Sequence, residues 1–203
     1  TFLDIGSGSG LFSLSAMKLG AERVYSFDYD PDSVSCTREL KLRYFTNNSN
    51  WTIAQGSVLD KEYLNSLGQF DIVYSWGVLH HTGQMWTALE NVIPSVKPGG
   101  KLYIAIYNDQ GRDSNYWKKV KRIYNGLPSI IKPVMLPWFL IQIWGPTLLL
   151  DLFRGKPFTS WINYQTNRGM SPWYDVVDWV GGYPFEVAKP EEIFQFYRQK
   201  GFR

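Results

Sequence analysis

Thr1-Phe2-Leu3-Asp4-Ile5-Gly6-Ser7-Gly8-Ser9-Gly10 opens the chain, and its reading decides the fold. Thr1–Ile5 reads as a buried strand. Gly6, Gly8 and Gly10 make a turn in which backbone can approach a ligand closely, and 11–19 follow as a helix. Strand, glycine turn and helix N-terminus together suit a negatively charged group, because the first helical N–H groups have no intrahelical partner. The spacing is G-x-G-x-G rather than the G-x-G-x-x-G of dinucleotide enzymes, and Asp4 sits just before the turn. Both details point away from a pyrophosphate and towards a ligand carrying a carboxylate and an amine.

Working outward, strands and helices alternate through the first half, the pattern of a parallel sheet covered on both faces. The second strand is 23–28 (RVYSFD). Asp30 caps a helix that begins at Pro31 and runs to Phe45, since a carboxylate satisfies free N–H groups and proline presets φ. The third strand is 51–56, and Asp60 opens a short helix ending near Gly68. Phe70–Trp76 is apolar almost throughout and hence central. A helix over 84–96, a Lys97-Pro98-Gly99-Gly100 turn and a fifth strand over 101–107 complete the pattern. From Asn108 to Lys189 the alternation stops and Trp, Tyr, Pro and Gly become frequent. Asp113–Asn125 reads as an amphipathic helix, whose Lys118, Lys119, Lys121 and Arg122 make a short basic stripe that a solvated helix face explains equally well. Pro133–Leu150 is uncharged and long enough to raise a membrane-spanning reading, but Pro137, Gly145 and Pro146 interrupt it. Packed helices of a cap are the expectation, with an interfacial, lipid-facing segment as the alternative. Glu191–Lys200 resumes a regular amphipathic helix.

Composition bounds the function. The 203 residues are 44% apolar, with a net charge of +3 and no long basic run, so charge does not imply nucleic acid. The single Cys36 excludes an internal disulfide and fits a reducing, cytoplasmic setting. His80 and His81 are the only histidines and are adjacent, so no metal site of the usual His/Cys spacing is expected. The chain begins inside a strand and ends where a helix hands over to a further strand. It therefore reads as a segment truncated at both ends.

The Leu3–Gly10 stretch, with the acid at the next strand end and the loops after the third and fourth strands, resembles class I S-adenosylmethionine (AdoMet) dependent methyltransferases. The resemblance covers 1–108 and 190–203. It implies an α/β, Rossmann-like, doubly wound and mostly parallel sheet: a 1–108 AdoMet-binding core, a 109–189 helical, aromatic-rich substrate cap inserted after the fifth strand, and a 190–203 last core helix. By the same match, Gly6, Ser7, Gly8 and Gly10 pack against the amino-acid end of AdoMet, and Asp4 holds its ammonium through water. Asp28 takes the two ribose hydroxyls, and Tyr29 lies beside the adenine. Ser57 stands where many members have an acid and would bind the adenine amine, with Val58 giving apolar contact and a backbone N–H. The Ser75 carbonyl faces the methionine amine.

Methyl transfer from a sulfonium is an in-line displacement that needs a positioned nucleophile and, at oxygen, removal of a proton. Gly77-Val78-Leu79-His80-His81-Thr82 follows the fourth strand at the sheet edge where α/β folds bind ligands. Members resembling ubiquinone-pathway O-methyltransferases often carry a His there. An imidazole titrates near neutrality and suits a general base; His81 is the preferred base and His80 the packed neighbour. The expected substrate is a small or lipid-like molecule, apolar or aromatic, methylated at oxygen, with Arg154 or Arg168 for an anionic group and peripheral membrane contact through Pro133–Leu150. Two alternatives stand beside it: a methyltransferase of tRNA wobble uridines, and a non-catalytic AdoMet-binding or membrane-associated partner protein.

Overall fold

The computed structural model describes residues 1–46 and 48–203, with the side chain of Arg168 outside the description. The anion-holding role considered for Arg168 therefore lies outside the described residues. The chain forms two compact units, 1–109 with 186–203 and 110–185.

The first unit is a five-stranded sheet of order β3-β2-β1-β4-β5, with every pairing parallel. Its strands are β1 (Phe2–Ile5), β2 (Val24–Asp28), β3 (Trp51–Gln55), β4 (Phe70–Trp76) and β5 (Val96–Ala105). Between them lie α1 (Leu11–Lys18), α2 (Pro31–Tyr44), α3 (Lys61–Leu67) and α4 (Met85–Asn91). Successive strands step one way from β1 to β3 and the other way from β4 to β5, so the topological switch falls between β1 and β4. Ligands bind α/β sheets at that crevice, beyond the carboxyl ends of the strands.

The period of two along a strand separates the two faces. Leu3, Ile5 and Phe27 point into the larger core with Leu64, Leu79 and Leu89. Leu14 and Met17 of α1 instead pack with Val24 and Trp51 on the other face. Asp4 and Ser26 share that second face, and a buried polar chain runs through it: Ser13 Oγ donates to Asp4, Ser13 and Ser26 exchange a hydroxyl bond, and Trp51 Nε1 donates to Ser26 Oγ at 2.8 Å. Each buried polar group there is satisfied, as burial demands.

Two boundaries differ from the sequence reading. The helix expected over 84–96 stops at Asn91, and a 3-10 turn at Ile93–Ser95, which includes Pro94, leads directly into β5. The Lys97–Gly100 turn does not precede β5 but lies within it: Phe70 pairs with Val96 and Ile72 with Lys101, so the glycines are looped out of the ladder. The last helix, α9 (Pro190–Gln199), returns to this unit, where Tyr197 donates to the Leu89 carbonyl at 3.1 Å. The chain's exit after β5 and its return are stitched together, since Ala188 N donates to Tyr107 O and Asp109 N to Ala188 O.

The second unit is helical: α5 (Arg112–Gly126), α6 (Lys132–Phe153), α7 (Thr159–Arg168) and α8 (Pro172–Gly181). Four of its tryptophans form its own core, Trp117, Trp144, Trp161 and Trp179, while Trp138, Trp173 and Tyr183 are exposed. Two expectations are corrected here. The prolines do not break 133–150 into pieces: α6 is one helix of 22 residues with Pro137 and Pro146 inside it. Each proline removes one ladder bond, but burial of Leu136, Phe139 and Trp144 on one side holds the helix together. Lys121 is not on a solvated face. It is fully buried, with its ammonium 3.9 Å from the Trp179 ring centre and 4.5 Å from that of Phe185, a cation–π arrangement.

Candidate active site

The glycine turn leaves β1 with positive φ at Gly6 (75°), Gly8 (53°) and Gly10 (79°), a region that side chains with a Cβ rarely enter. The three glycines are needed for different reasons. A Cβ on Gly6 would sit 2.4–2.9 Å from Val78, and one on Gly10 would meet Thr37 at 2.8–3.1 Å. A Cβ on Gly8 would meet nothing within 4 Å. Gly8 therefore faces open space, and the turn presents bare backbone to whatever approaches it.

The turn is stitched to β2. Gly6 N and Ser7 N both donate to the Phe27 carbonyl, at 2.9 and 3.1 Å, and Gly8 N donates to Asp28 Oδ2 at 2.8 Å. Asp30 N donates to the other Asp28 oxygen at 3.0 Å. Both oxygens of Asp28 are thus aimed by backbone, while each keeps a further acceptor position. Ser7 is committed elsewhere, because its hydroxyl lies 3.2 Å from that of Thr37, which in turn donates to Gly8 O. The amides expected to cradle an anion are therefore spent on the turn itself. α1 begins at Leu11, and its N-cap Gly10 offers no side-chain cap, so its first-turn N–H groups remain donors in this region.

Asp4 is only 2% exposed and is held by Ser13. Burial pushes its carboxyl up to about 6, against the lowering effect of the Ser13 bonds and with a small contribution from the charge of Asp28. Beyond β2, Tyr29 is 77% exposed. At the end of β3, Ser57 Oγ accepts from Leu59 N at 3.2 Å. Val58 is buried in the core, so its side chain gives packing rather than a ligand surface, and its carbonyl accepts from Asn91. Ser75 is fully buried and its hydroxyl donates to the Ile5 carbonyl at 3.1 Å, tying β4 to β1 beside the turn.

The two histidines part ways. His80 is 1% exposed, packed 4.1 Å from the Tyr107 ring and 4.3 Å from His81, and its carbonyl accepts from Glu186 N. His81 is partly exposed and meets Tyr107 edge-on at 5.5 Å. Both lie on a 3-10 turn, Leu79–His81, directly after Val78, the residue packed on Gly6.

Sequence reasoning missed four participants. Tyr107 braces both imidazoles. Glu186 caps α4 across the chain, its carboxylate accepting from Met85 N at 2.9 Å where Gln84 supplies no cap. Gly56 admits no Cβ because the Tyr63 ring lies 2.4–2.8 Å away. Ser13 orients Asp4. Only Gly56 carried a local signal, a glycine at a strand end.

An open Gly8 face, a buried acid below it and a backbone-aimed carboxylate fit the amino-acid and ribose ends of AdoMet. Residues 3–102 match the family described as "Methyltransferase domain". The tRNA U34 carboxymethyltransferase of Methylococcus capsulatus is 28% identical over 174 residues, 81% of this chain and 52% of that protein. The ribosomal protein L11 methyltransferase of Geobacter metallireducens is 54% identical over 37 residues, 18% of this chain and 12% of that protein. The chain spans about half the length of the first of these relatives and far less of the second. Among solved structures, PKMT2 from Rickettsia typhi in complex with AdoHcy covers 98% of this chain and 38% of its own at a TM-score of 0.63 and 15% identity, a likeness of fold. Residues 3–102, just under half of the chain, are thus similar to the methyltransferase domain family.

Proposed function

We propose that the protein methylates a small or lipid-like acceptor at oxygen, with His81 as general base. AdoMet supplies an activated methyl group, and the remaining work falls to this chain. The observation that carries the reading is the contact of Val78 with Gly6, which seats the His80–His81 loop directly on the glycine turn at the switch between β1 and β4. His81 is the base of this reading because it is partly exposed on that loop, with His80 and Tyr107 packed against its ring. Asp28, aimed by Gly8 and Asp30, is the ribose ligand of this reading. Asp4 is its partner for the cofactor ammonium. The test is formation of S-adenosylhomocysteine (AdoHcy) from AdoMet across a panel of hydroxylated acceptors. Turnover that survives His81→Ala undiminished would remove the base; no turnover with any hydroxylated acceptor would remove the oxygen chemistry.

A second reading has support in the relative matched over 81% of this chain, a tRNA U34 carboxymethyltransferase. Transfer of label from AdoMet to unmodified tRNA, and not to small acceptors, would favour it.

A further inference from the structure

A solvated helix is expected to carry polar residues on its outer face, and α6 does not. Val134, Trp138, Ile141, Leu149 and Leu152 are all exposed, Ile141 by 70%. At 100° per residue they fall within an arc of about 80°, along about 27 Å of helix. The opposite side is the packed one, with Leu136, Phe139, Trp144 and Asp151 buried. Only 17% of the most apolar stretch of α6 is buried. No charged residue occurs from Pro133 to Leu150, and the polar Gln142 is bonded to the Tyr116 hydroxyl at 2.6 Å. Phe153, the last residue of α6, and Phe158 and Ile162 after it are exposed as well, and exposed Arg154 and Lys156 stand in that same segment.

Charge separates the possible occupants. Unit 110–185 holds nine Lys and Arg against four Asp and Glu, a net charge of +5, while the rest of the chain nets −2. A second copy on this face would bring a second +5. An anionic lipid surface attracts that charge and takes the apolar stripe. A membrane-crossing role for α6 is inconsistent with its packed side. Asp151 is buried there and accepts two bonds from Ser160, and the α5 helix of the same bundle carries exposed Lys118, Lys119 and Arg122. We propose that α6 and the start of α7 form an in-plane docking surface for an anionic lipid bilayer, with Arg154 and Lys156 at the headgroups. The proposal is independent of the methyltransferase reading.

The experiment is flotation of the protein with vesicles of phosphatidylcholine alone and of phosphatidylcholine mixed with phosphatidylglycerol. Wild type is expected to float with the mixed vesicles and to be released by salt, as screening requires. Ile141→Asp with Leu152→Asp should lower the partition about tenfold or more, and Arg154→Glu with Lys156→Glu should abolish the preference for the anionic vesicles. Both positions of the first variant are exposed, and an unchanged melting temperature establishes that it is folded; Phe153→Asp, at the most exposed apolar site of α6, repeats the test. Four outcomes overturn the proposal. They are no flotation with either vesicle, partition unaffected by these variants, a dimer in sedimentation velocity that Ile141→Asp dissolves without vesicle binding, and tRNA binding that displaces the vesicles. Resistance to alkaline extraction from the vesicles would likewise replace docking by a span.

Discussion

The buried carboxyl of Asp4 makes the cofactor reading accessible to a pH titration. Its value in the folded protein is about 6, raised by burial from an ordinary value of 3.8. If the ionised form is the one that holds the ligand ammonium, protonation competes with binding. At pH 5 about one molecule in eleven has Asp4 ionised, against about nine in ten at pH 7. The dissociation constant of AdoHcy, which has the same amino-acid end, should be about tenfold weaker at pH 5 than at pH 7, a difference of about 1.4 kcal/mol. The ligand amine stays protonated over this window, since an α-amino group titrates near 7.7–8.0. Isothermal titration calorimetry at half-unit steps measures it. The sign for stability runs opposite: a raised carboxyl costs nothing below its unfolded value of 3.8 and increasingly destabilises the ligand-free fold as pH rises towards 6. Asp4→Asn, which still accepts from Ser13, should therefore make the free protein more stable at pH 7, by up to about 3 kcal/mol, while weakening AdoHcy and flattening its pH profile. A wild-type affinity constant from pH 5 to 7, or an unchanged slope in Asp4→Asn, would refute the reasoning.

Three further predictions use the same site. Gly8→Ala should cost the fold only the strain of a positive φ, about 1–2 kcal/mol, because nothing crowds its Cβ, yet remove AdoHcy binding; Gly6→Ala should cost more, since its Cβ collides with Val78, and thermal melts with and without AdoHcy distinguish the two. Asp28→Ala should abolish most of the stabilisation by AdoHcy, which a thermal-shift titration reads directly. His81→Ala should lower turnover about 10²–10⁴-fold with an unchanged melting temperature, whereas His80→Ala, which leaves a void against Tyr107, should lower the melting temperature as well.

The order of elements was legible because each carries local signals. Asp30-Pro31 caps and starts α2 as read, with Ser33 N donating to Asp30 at 3.0 Å, and the apolar run Phe70–Trp76 is β4 to the residue. Boundaries governed by distant partners were not legible. α4 takes its cap from Glu186, a hundred positions away, and ends early where Pro94 sits in a 3-10 turn. The continuity of α6 through two prolines depends on packing from α5 and α8 that no local propensity encodes.

By itself, the sequence determined the alternation of strand and helix, the three left-handed glycines and the acid at each of the first two strand ends, because these follow from backbone sterics and hydrogen bonding within a few residues. Only the tertiary structure decided what those groups are free to do. It spent the Ser7 hydroxyl on Thr37 and the Gly8 amide on Asp28, buried His80 while leaving His81 partly exposed, enclosed Lys121 between aromatic rings, and turned the apolar face of α6 outward. Burial and partner choice are properties of the packed chain, and they depend on residues that neighbouring sequence does not contain.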